Sequence, residues 1–385
     1  MVIGLSPKNQ LSLYFHIPFC KKKCDYCHFY VVPDKEEFKQ LLLTGLQQEW
    51  LHWANKIETY DLTSIYFGGG TPSLFGPQRI SQIIQWVQEI FPFKNSPPEI
   101  TLEANPENIT IEMMRAYKDA GINRVSIGVQ SLNNSELIVL SRQHNAHAAI
   151  QAIIDTHAAG IDNISIDLMY DLPSQTAASW HNTLNQIQKL PITHLSLYNL
   201  TIEPHTVFHK FKEKLTPSIP CEDMSLDMYK TAIASLHDIG LVQYEISAFA
   251  KNGLHSLHNT GYWTGRSFIG LGPSAYSFWK GERFKNISNI HKYAKLLSEG
   301  DSPVDYYDEL SIDDRRKELF IVALRLLNGC NYNEFKTRYG CLDQESNTTL
   351  NRLVRNGLIT CKNDCHYALS EQGLLLYDYI ASELI

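Results

Sequence analysis

Apolar residues along this chain follow two alternating rhythms. Short runs rich in β-branched and aromatic residues predict strands, several with clean alternation, such as Ile164, Ile166 and Leu168 against Ser165 and Asp167. They cover 11–17, 63–69, 99–105, 123–129, 163–169 and 193–199. Between them lie helix-length segments with apolar residues three and four apart. Residues 35–54 carry Phe38, Leu41, Leu42, Leu46 and Trp50, and 79–91 carry Ile80, Ile83, Ile84 and Val87. Residues 110–119 open with Thr110 and lead into Met113, Met114 and Tyr117, and 147–160 end on Gly160, a C-terminal cap signal. Strands and helices alternating at this spacing make right-handed βαβ units and a parallel sheet. The fold expected is α/β, a partial (β/α)6 barrel, with functional residues in the loops after the strands' carboxyl ends.

The rhythm changes near residue 240. A helical stretch at 222–239 precedes an extension over 241–305. Residues 306–385 read as helices at 315–329, 331–340 and 349–359, followed by a strand running into a last helix over 366–384. That order predicts a small winged-helix-like α+β module. Fold alone does not make such a module bind DNA; packing or protein contact is the plainer expectation. The predicted division is therefore 1–240, 241–305 and 306–385.

Composition narrows the class. The chain has 385 residues, 44% hydrophobic and 19% charged, with a net charge of −7. This allows a sizeable core and offers no general basic surface for nucleic acid. The opening MVIGLSPKNQ lacks a leader's positive and apolar regions, and no later run resembles a membrane span. A cytoplasmic protein is expected, in which clustered cysteines mean metal or catalysis more often than disulfides. Of eight cysteines, Cys221, Cys330 and Cys341 stand alone and read as packing residues. Cys361 and Cys365 read as a surface turn, because two thiolates do not complete a zinc site.

The other three lie in "YFHIPFCKKKCDYCHFY", residues 14–30, as Cys20, Cys24 and Cys27. Structural zinc wants four ligands, and His16 or His28 offers a fourth. A [4Fe–4S] cluster is also held by thiolates, and three leave one iron open to a further ligand. A glycine-rich "YFGGGTP" (66–72) ends the next strand, where glycine permits close backbone approach; alone it reads as a tight turn.

C-x3-C-x2-C after a first strand, with GGGTP after the second, resembles the radical S-adenosylmethionine (SAM) superfamily. The resemblance implies that the open iron takes the amino and carboxylate groups of SAM, and that an electron from the cluster cleaves its sulfonium. The stretches "EANPENIT", "GINRVSIGVQSLN", "IDLMYDLP" and "YEIS" extend the similarity to the coproporphyrinogen dehydrogenase-like branch over nearly the whole chain. By that resemblance the cluster ligands are Cys20, Cys24 and Cys27. The SAM contacts fall on Tyr14, Gly69, Gly70, Thr71, Glu103, Gln130, Arg142 and Asp167. Singly, each polar residue reads as a structural hydrogen bonder. Together they suit a ligand with an adenosine, an ammonium and a carboxylate.

Two kinds of protein share this branch: an oxygen-independent coproporphyrinogen III dehydrogenase, and heme chaperones of the HemW type. The dehydrogenase carries a fourth cysteine where this chain has Phe29, and a longer segment before its first strand. "HNTGYW" (258–263) matches the chaperones' HNxxYW signature. The resemblance implies a protein that binds heme, a [4Fe–4S] cluster and SAM, and passes heme to heme-accepting proteins, with a reductant protein as a further partner. His258, Tyr262 and Trp263 become the heme candidates: an imidazole for iron and two aromatic faces for the porphyrin. Their plain alternative is a satisfied histidine beside two core aromatics. His205, His209 and His255 are further candidates. SAM cleavage is left open and coproporphyrinogen decarboxylation is disfavoured; the alternatives kept are a tetrapyrrole-directed radical SAM enzyme and a zinc-stabilised structural loop. The chain departs from its branch at Asp171 and Ser174, which replace usual glycines, and at Ala248, Pro273 and Tyr276.

Overall fold

The computed structural model describes residues 4–7, 9–93, 97–363 and 365–385. Part of the stretch read for a leader (1–3 and Lys8) and Asp364 of the Cys361–Cys365 turn lie outside the described residues.

Six parallel strands form where alternation predicts them: β1 (Gln10–Ile17), β2 (Asp61–Gly69), β3 (Glu99–Ala104), β4 (Arg124–Gln130), β5 (Asn163–Tyr170) and β6 (His194–Asn199). They pair in chain order. Helices Glu36–Ile57, Pro77–Ile90, Ile111–Asp119, Ala146–Ala158 and Ala177–Ile187 connect them. Local chemistry starts and stops these helices. Thr110 accepts from the Met113 amide, Asn145 from Ala148, and Thr176 with Ser179 forms a capping box. Gly160, at φ +84°, turns the chain out of its helix.

The alternation has a consequence for function. The apolar face of each strand, such as Leu11, Leu13, Phe15 and Ile17 of β1 or Ile164, Ile166 and Leu168 of β5, joins one large core with the helices. The opposite face is polar and buried: Ser12 and His16, Ser64, Glu99 and Thr101, Arg124 and Ser126, Ser165, His194 and Ser196. A polar face that would meet water in an open sheet lines the barrel here.

The segment 241–305 contributes strands to both edges of that sheet. β7 (Val242–Glu245) and β8 (Ala248–Ala250) extend it antiparallel beyond β6. After helix Leu257–Trp263, β9 (Ser267–Leu271) runs parallel along β1. β10 (Tyr276–Trp279), β11 (Glu282–Asn286) and β12 (Val304–Tyr307) follow antiparallel, completing a twelve-stranded sheet. The parallel β9 is a feature that strand patterning alone did not reveal.

The carboxyl-terminal region has helices Ile312–Ala323, Tyr332–Tyr339 and Gln344–Arg355. A small antiparallel sheet of β13 (Cys330–Asn331), β14 (Ile359–Lys362) and β15 (His366–Leu369) follows the winged-helix order, and helix Tyr377–Leu384 closes it. Phe320, Phe335, Leu350, Leu353 and Ile380 form its separate core. Arg325 ties it to the barrel: its guanidinium reaches Glu245 and Ser247 at 3.3 Å and lies 4.3 Å over the Trp263 ring.

Candidate functional site

The cluster loop leaves β1 at the carboxyl end of the barrel, and the GGGTP loop supports it from below. Gly70 donates to the Ile17 carbonyl at 3.0 Å and Thr71 to Phe19 at 2.7 Å. A Cβ on Gly70 would sit 2.7 Å from the Phe19 oxygen, and one on Gly69 (φ +121°) 2.7 Å from the His16 ring. Glycine is therefore required for the two loops to touch. The amide of Gly69 is itself given to Glu103 at 3.1 Å. The N–H groups of Gly69, Gly70 and Thr71 are thus spent inside the protein. They fasten the GGGTP loop to the cysteine loop and to Glu103.

Cys20, Cys24 and Cys27 are all free thiols, partly buried. Burial pushes the Cys20 thiol up to about 11, with the neighbouring Cys27 and Cys24 adding to the rise against a hydrogen bond from Thr71. Cys27 is raised chiefly by burial as well. Among the described residues no three His, Cys, Asp or Glu side chains are gathered tightly enough to hold a single metal ion. The proposed fourth zinc ligands are turned elsewhere. His16 bonds the Tyr14 hydroxyl at 3.0 Å through Nδ1 and faces the Tyr30 carbonyl at 3.4 Å through Nε2, while His28 stacks on Phe29 at 4.7 Å. A cluster of several irons spans more space than one ion, so three spaced thiols suit it better than they suit zinc.

A belt of polar contacts runs from one cysteine to another. The Thr71 hydroxyl lies 3.5 Å from the Cys20 sulfur and accepts from the Asn105 amide at 3.0 Å. Arg142 donates to Asn105 Oδ1 and to the Gly128 carbonyl, both at 2.7 Å, and through its other terminal nitrogen to the Cys24 sulfur at 3.5 Å. Its Nε is buried without a partner. Gln130 completes the group from a left-handed position (φ +66°) at an irregularity in β4. A side chain on Gly128 would stand 3.1 Å from both Asn105 Oδ1 and Gln130 Nε2. Asn105 was missed as a site residue from sequence, although it lies within "EANPENIT" at the end of β3.

Two carboxylates sit deeper. Glu103 accepts from the Tyr66 hydroxyl at 2.9 Å and from Gly69. Burial raises it to about 7, with Asp167 adding repulsion. Asp167, 3.3 Å from the Ser126 hydroxyl, is raised to about 6, again mainly by burial. Buried acids held this high lack a strong positive partner, which a ligand's ammonium would supply. With the orphaned Arg142 nitrogen and the spaced thiols, the donor set fits a cluster bearing an amino-acid cofactor. Cys20, Cys24 and Cys27 would hold the cluster; Glu103, Gln130, Arg142 and Asp167 would meet the cofactor. Tyr14 lies one layer below, its ring 6.1 Å from Tyr66.

The HNTGYW motif is elsewhere. Its helix, Leu257–Trp263, runs under the amino ends of the strands. The Glu99 carboxylate accepts the Leu257 and His258 amides, each at 2.9 Å, at the helix start. Ser12 accepts from Arg266 and from Ser64, so Ser64 is left to accept from His258 Nδ1 at 2.9 Å. His258 Nε2 then accepts from the Tyr262 hydroxyl at 2.8 Å. Burial pushes this histidine down to about 3, so it is neutral, and neither nitrogen is free. Tyr262 packs on Phe268 at 4.7 Å, and Trp263 lies beneath Arg325. The His258 imidazole and the Tyr262 hydroxyl are thus spent on each other and on Ser64, while the half-buried Trp263 borders a cavity with Leu5, Thr264, Ala323 and Leu326. His255 is half-buried, with one ring face stacked on Tyr244 at 4.1 Å.

The departures from the branch have a physical reading too. Asp171 (φ +61°) and Ser174 (φ +64°) keep the backbone conformation that a glycine would adopt. Asp171 retains it with hydrogen bonds from Asn199 and from Ser225, the latter at 2.5 Å. Both lie beyond Asp167, on the turn after β5.

Comparison with known proteins agrees with this geometry. Residues 14–187 match the Radical SAM superfamily. The chain is 31% identical over 366 residues to the heme chaperone HemW of Bacillus subtilis (strain 168), covering 95% of this chain and 96% of that protein. It is 33% identical over 375 residues to the heme chaperone HemW of Haemophilus influenzae, covering 95% of each. The fold matches coproporphyrinogen III oxidase (HemN) from Escherichia coli, a radical SAM enzyme, with a TM-score of 0.82 at 23% identity over 99% of this chain and 91% of that one. The chain belongs to the radical SAM superfamily and, within it, to the HemW family.

Proposed function

We propose that this protein is a heme chaperone: it binds heme, carries a [4Fe–4S] cluster on Cys20, Cys24 and Cys27 with SAM beside it, and delivers heme to acceptor proteins in the cytoplasm. What carries the reading is the near full-length kinship to two bacterial proteins named as heme chaperones. It is supported by Phe29 standing, more than half exposed, where the dehydrogenases of this branch have a further cysteine. No described helix is long and apolar enough to cross a membrane.

The mouth residues have definable tasks. Arg142 and Thr71 hold the thiols of Cys24 and Cys20 at the barrel end. Glu103 and Asp167 offer negative charge to an ammonium, which favours their ionised forms. The bound cluster would supply one-electron chemistry, with a reductant protein as its source of electrons.

The test is a hemin titration of anaerobically reconstituted protein, followed by transfer to an apo-hemoprotein. Saturable binding and transfer are expected; failure to bind hemin overturns the reading. The second reading, a radical SAM enzyme acting on a tetrapyrrole, is favoured by the intact carboxylate and guanidinium set of the mouth. Incubation with coproporphyrinogen III, SAM and a reductant separates the two, because decarboxylated product would support the enzyme.

A further inference from the structure

Asparagine favours the position just before a helix because its side chain accepts an amide of the first turn. Asn105 stands there, ahead of the short helix Pro106–Asn108, yet its side chain caps nothing. Both ends of its amide are turned to the mouth instead.

Their polarity follows by elimination. A guanidinium only donates, so Asn105 accepts from Arg142 through Oδ1 at 2.7 Å. The amide nitrogen, which only donates, is thereby left facing the Thr71 hydroxyl at 3.0 Å. With its oxygen taken, Thr71 has its proton to give, and the Cys20 sulfur lies 3.5 Å away. Thr71 is buried, so water does not compete for that proton. A thiolate that holds iron accepts and cannot donate. Arg142 meanwhile donates directly to the Cys24 sulfur at 3.5 Å. One guanidinium therefore provides for two of the three sulfurs, directly at Cys24 and by relay through Asn105 at Cys20. Cys27 is met by the Phe29 backbone instead.

The relay is fixed in place. Arg142 is anchored on the Gly128 carbonyl at 2.7 Å. A Cβ at Gly128 would stand 3.1 Å from Asn105 Oδ1 and 3.4 Å from the Arg142 guanidinium, so this stretch of β4 leaves just the room the pair needs.

Reduction adds negative charge to a cluster, and part of it falls on the cysteine sulfurs. Hydrogen bonds to those sulfurs favour the reduced form and raise the potential. We propose that Asn105 is a positioning residue for the cluster: by fixing the Thr71 hydroxyl as a donor to Cys20, it sets the potential at which the cluster takes its electron. This rests on the cluster assignment in the reading above.

The test is a redox titration of full-length, anaerobically reconstituted protein, followed by the electron paramagnetic resonance signal of the reduced cluster, with iron and sulfide measured alongside. Asn105→Ala should keep its iron and sulfide and make reduction about tenfold less favourable, a shift of about 59 mV to lower potential for one electron. Thr71→Val, which removes the hydroxyl, should shift the potential the same way, and Thr71→Ser, which keeps it, should titrate as wild type. The double variant Asn105→Ala, Thr71→Val should shift no further than Asn105→Ala alone, because both changes remove the same donor. An Asn105→Ala variant with a full cluster and the wild-type potential overturns the proposal, as do two shifts that add in full. If Asn105→Ala assembles no cluster, the Thr71 pair decides: Val shifted and Ser unshifted supports the relay, and Val unshifted overturns it. Loss of the cluster in both Asn105→Ala and Thr71→Val makes their role structural and overturns the tuning. Wild type that assembles no cluster overturns the cluster reading with it. Hemin plays no part in the titration, so a failure of the heme-chaperone reading alone leaves this result untouched.

Discussion

The two ends of the barrel are built from the same strands yet differ in kind. At the amino end, Arg266, Ser12, Ser64, His258 and Tyr262 form a chain of hydrogen bonds with both imidazole nitrogens used, and Glu99 closes the helix above it. At the carboxyl end, three thiols stand outside any disulfide, an Arg142 nitrogen has no partner, and Glu103 and Asp167 are held above their ordinary range by burial. Unpartnered nitrogens occur at both ends, on Arg124, Arg266 and Trp263 as on Arg142, so what sets the mouth apart is its three thiols beside two carboxyls raised by burial. A sequence signature can thus lie in the floor and still mark a family whose chemistry occurs at the mouth.

The sharpest way to break this contrast is to empty the mouth. Substituting Cys20, Cys24 and Cys27 by Ala should abolish cluster iron and sulfide after anaerobic reconstitution, while the thermal midpoint of the apo-protein changes little. Retained iron and sulfide would place the cluster elsewhere.

Damage to the floor should do the reverse. Glu99→Ala strips two amides and the buried Arg124 guanidinium, 3.9 Å away, of their carboxylate. A loss of about 3–5 kcal/mol is expected in denaturant unfolding. Tyr262→Phe removes only the hydroxyl bonded to His258 and should cost about 1–3 kcal/mol. If either leaves stability unchanged but removes the cluster, the division between the two ends is wrong.

Acidity distinguishes the ends further. Glu103 at about 7 and Asp167 at about 6 bind protons in the folded state that their unfolded forms have released. Apo-protein stability should therefore fall as pH rises from about 4.5 to about 7, the span between the ordinary and folded values of Glu103. Glu103→Gln should flatten that fall in urea titrations at pH 5 and 7.5, and it should weaken SAM binding to the reconstituted protein. The smallest effect is expected at Ser174, exposed and left-handed at φ +64°. Ser174→Gly should stabilise by about 1 kcal/mol in the same assay, with cluster content unchanged.

Much of the mouth was legible in the chain. Cys20, Cys24 and Cys27 announce themselves by spacing. Glu103 and Asp167 keep to the polar positions of the alternation and are carboxylates near strand ends, where a barrel gathers its functional groups. Asn105 lay in plain view but has no signal of its own; only its position between Thr71 and Arg142 gives it a part. His258 is the opposite case. The motif advertises an imidazole and two aromatic rings, yet their freedom depends on Ser64, Glu99 and Arg325, all distant in sequence.

By itself the sequence determined the strand rhythm, the barrel and the trio of thiols, because alternation, helical period and motif spacing are local properties. Only the tertiary structure decided which polar residues are spent on each other and which remain open. Hydrogen-bond satisfaction depends on partners brought together from strands far apart in the chain, as with His258 and Ser64, and no local pattern encodes that pairing.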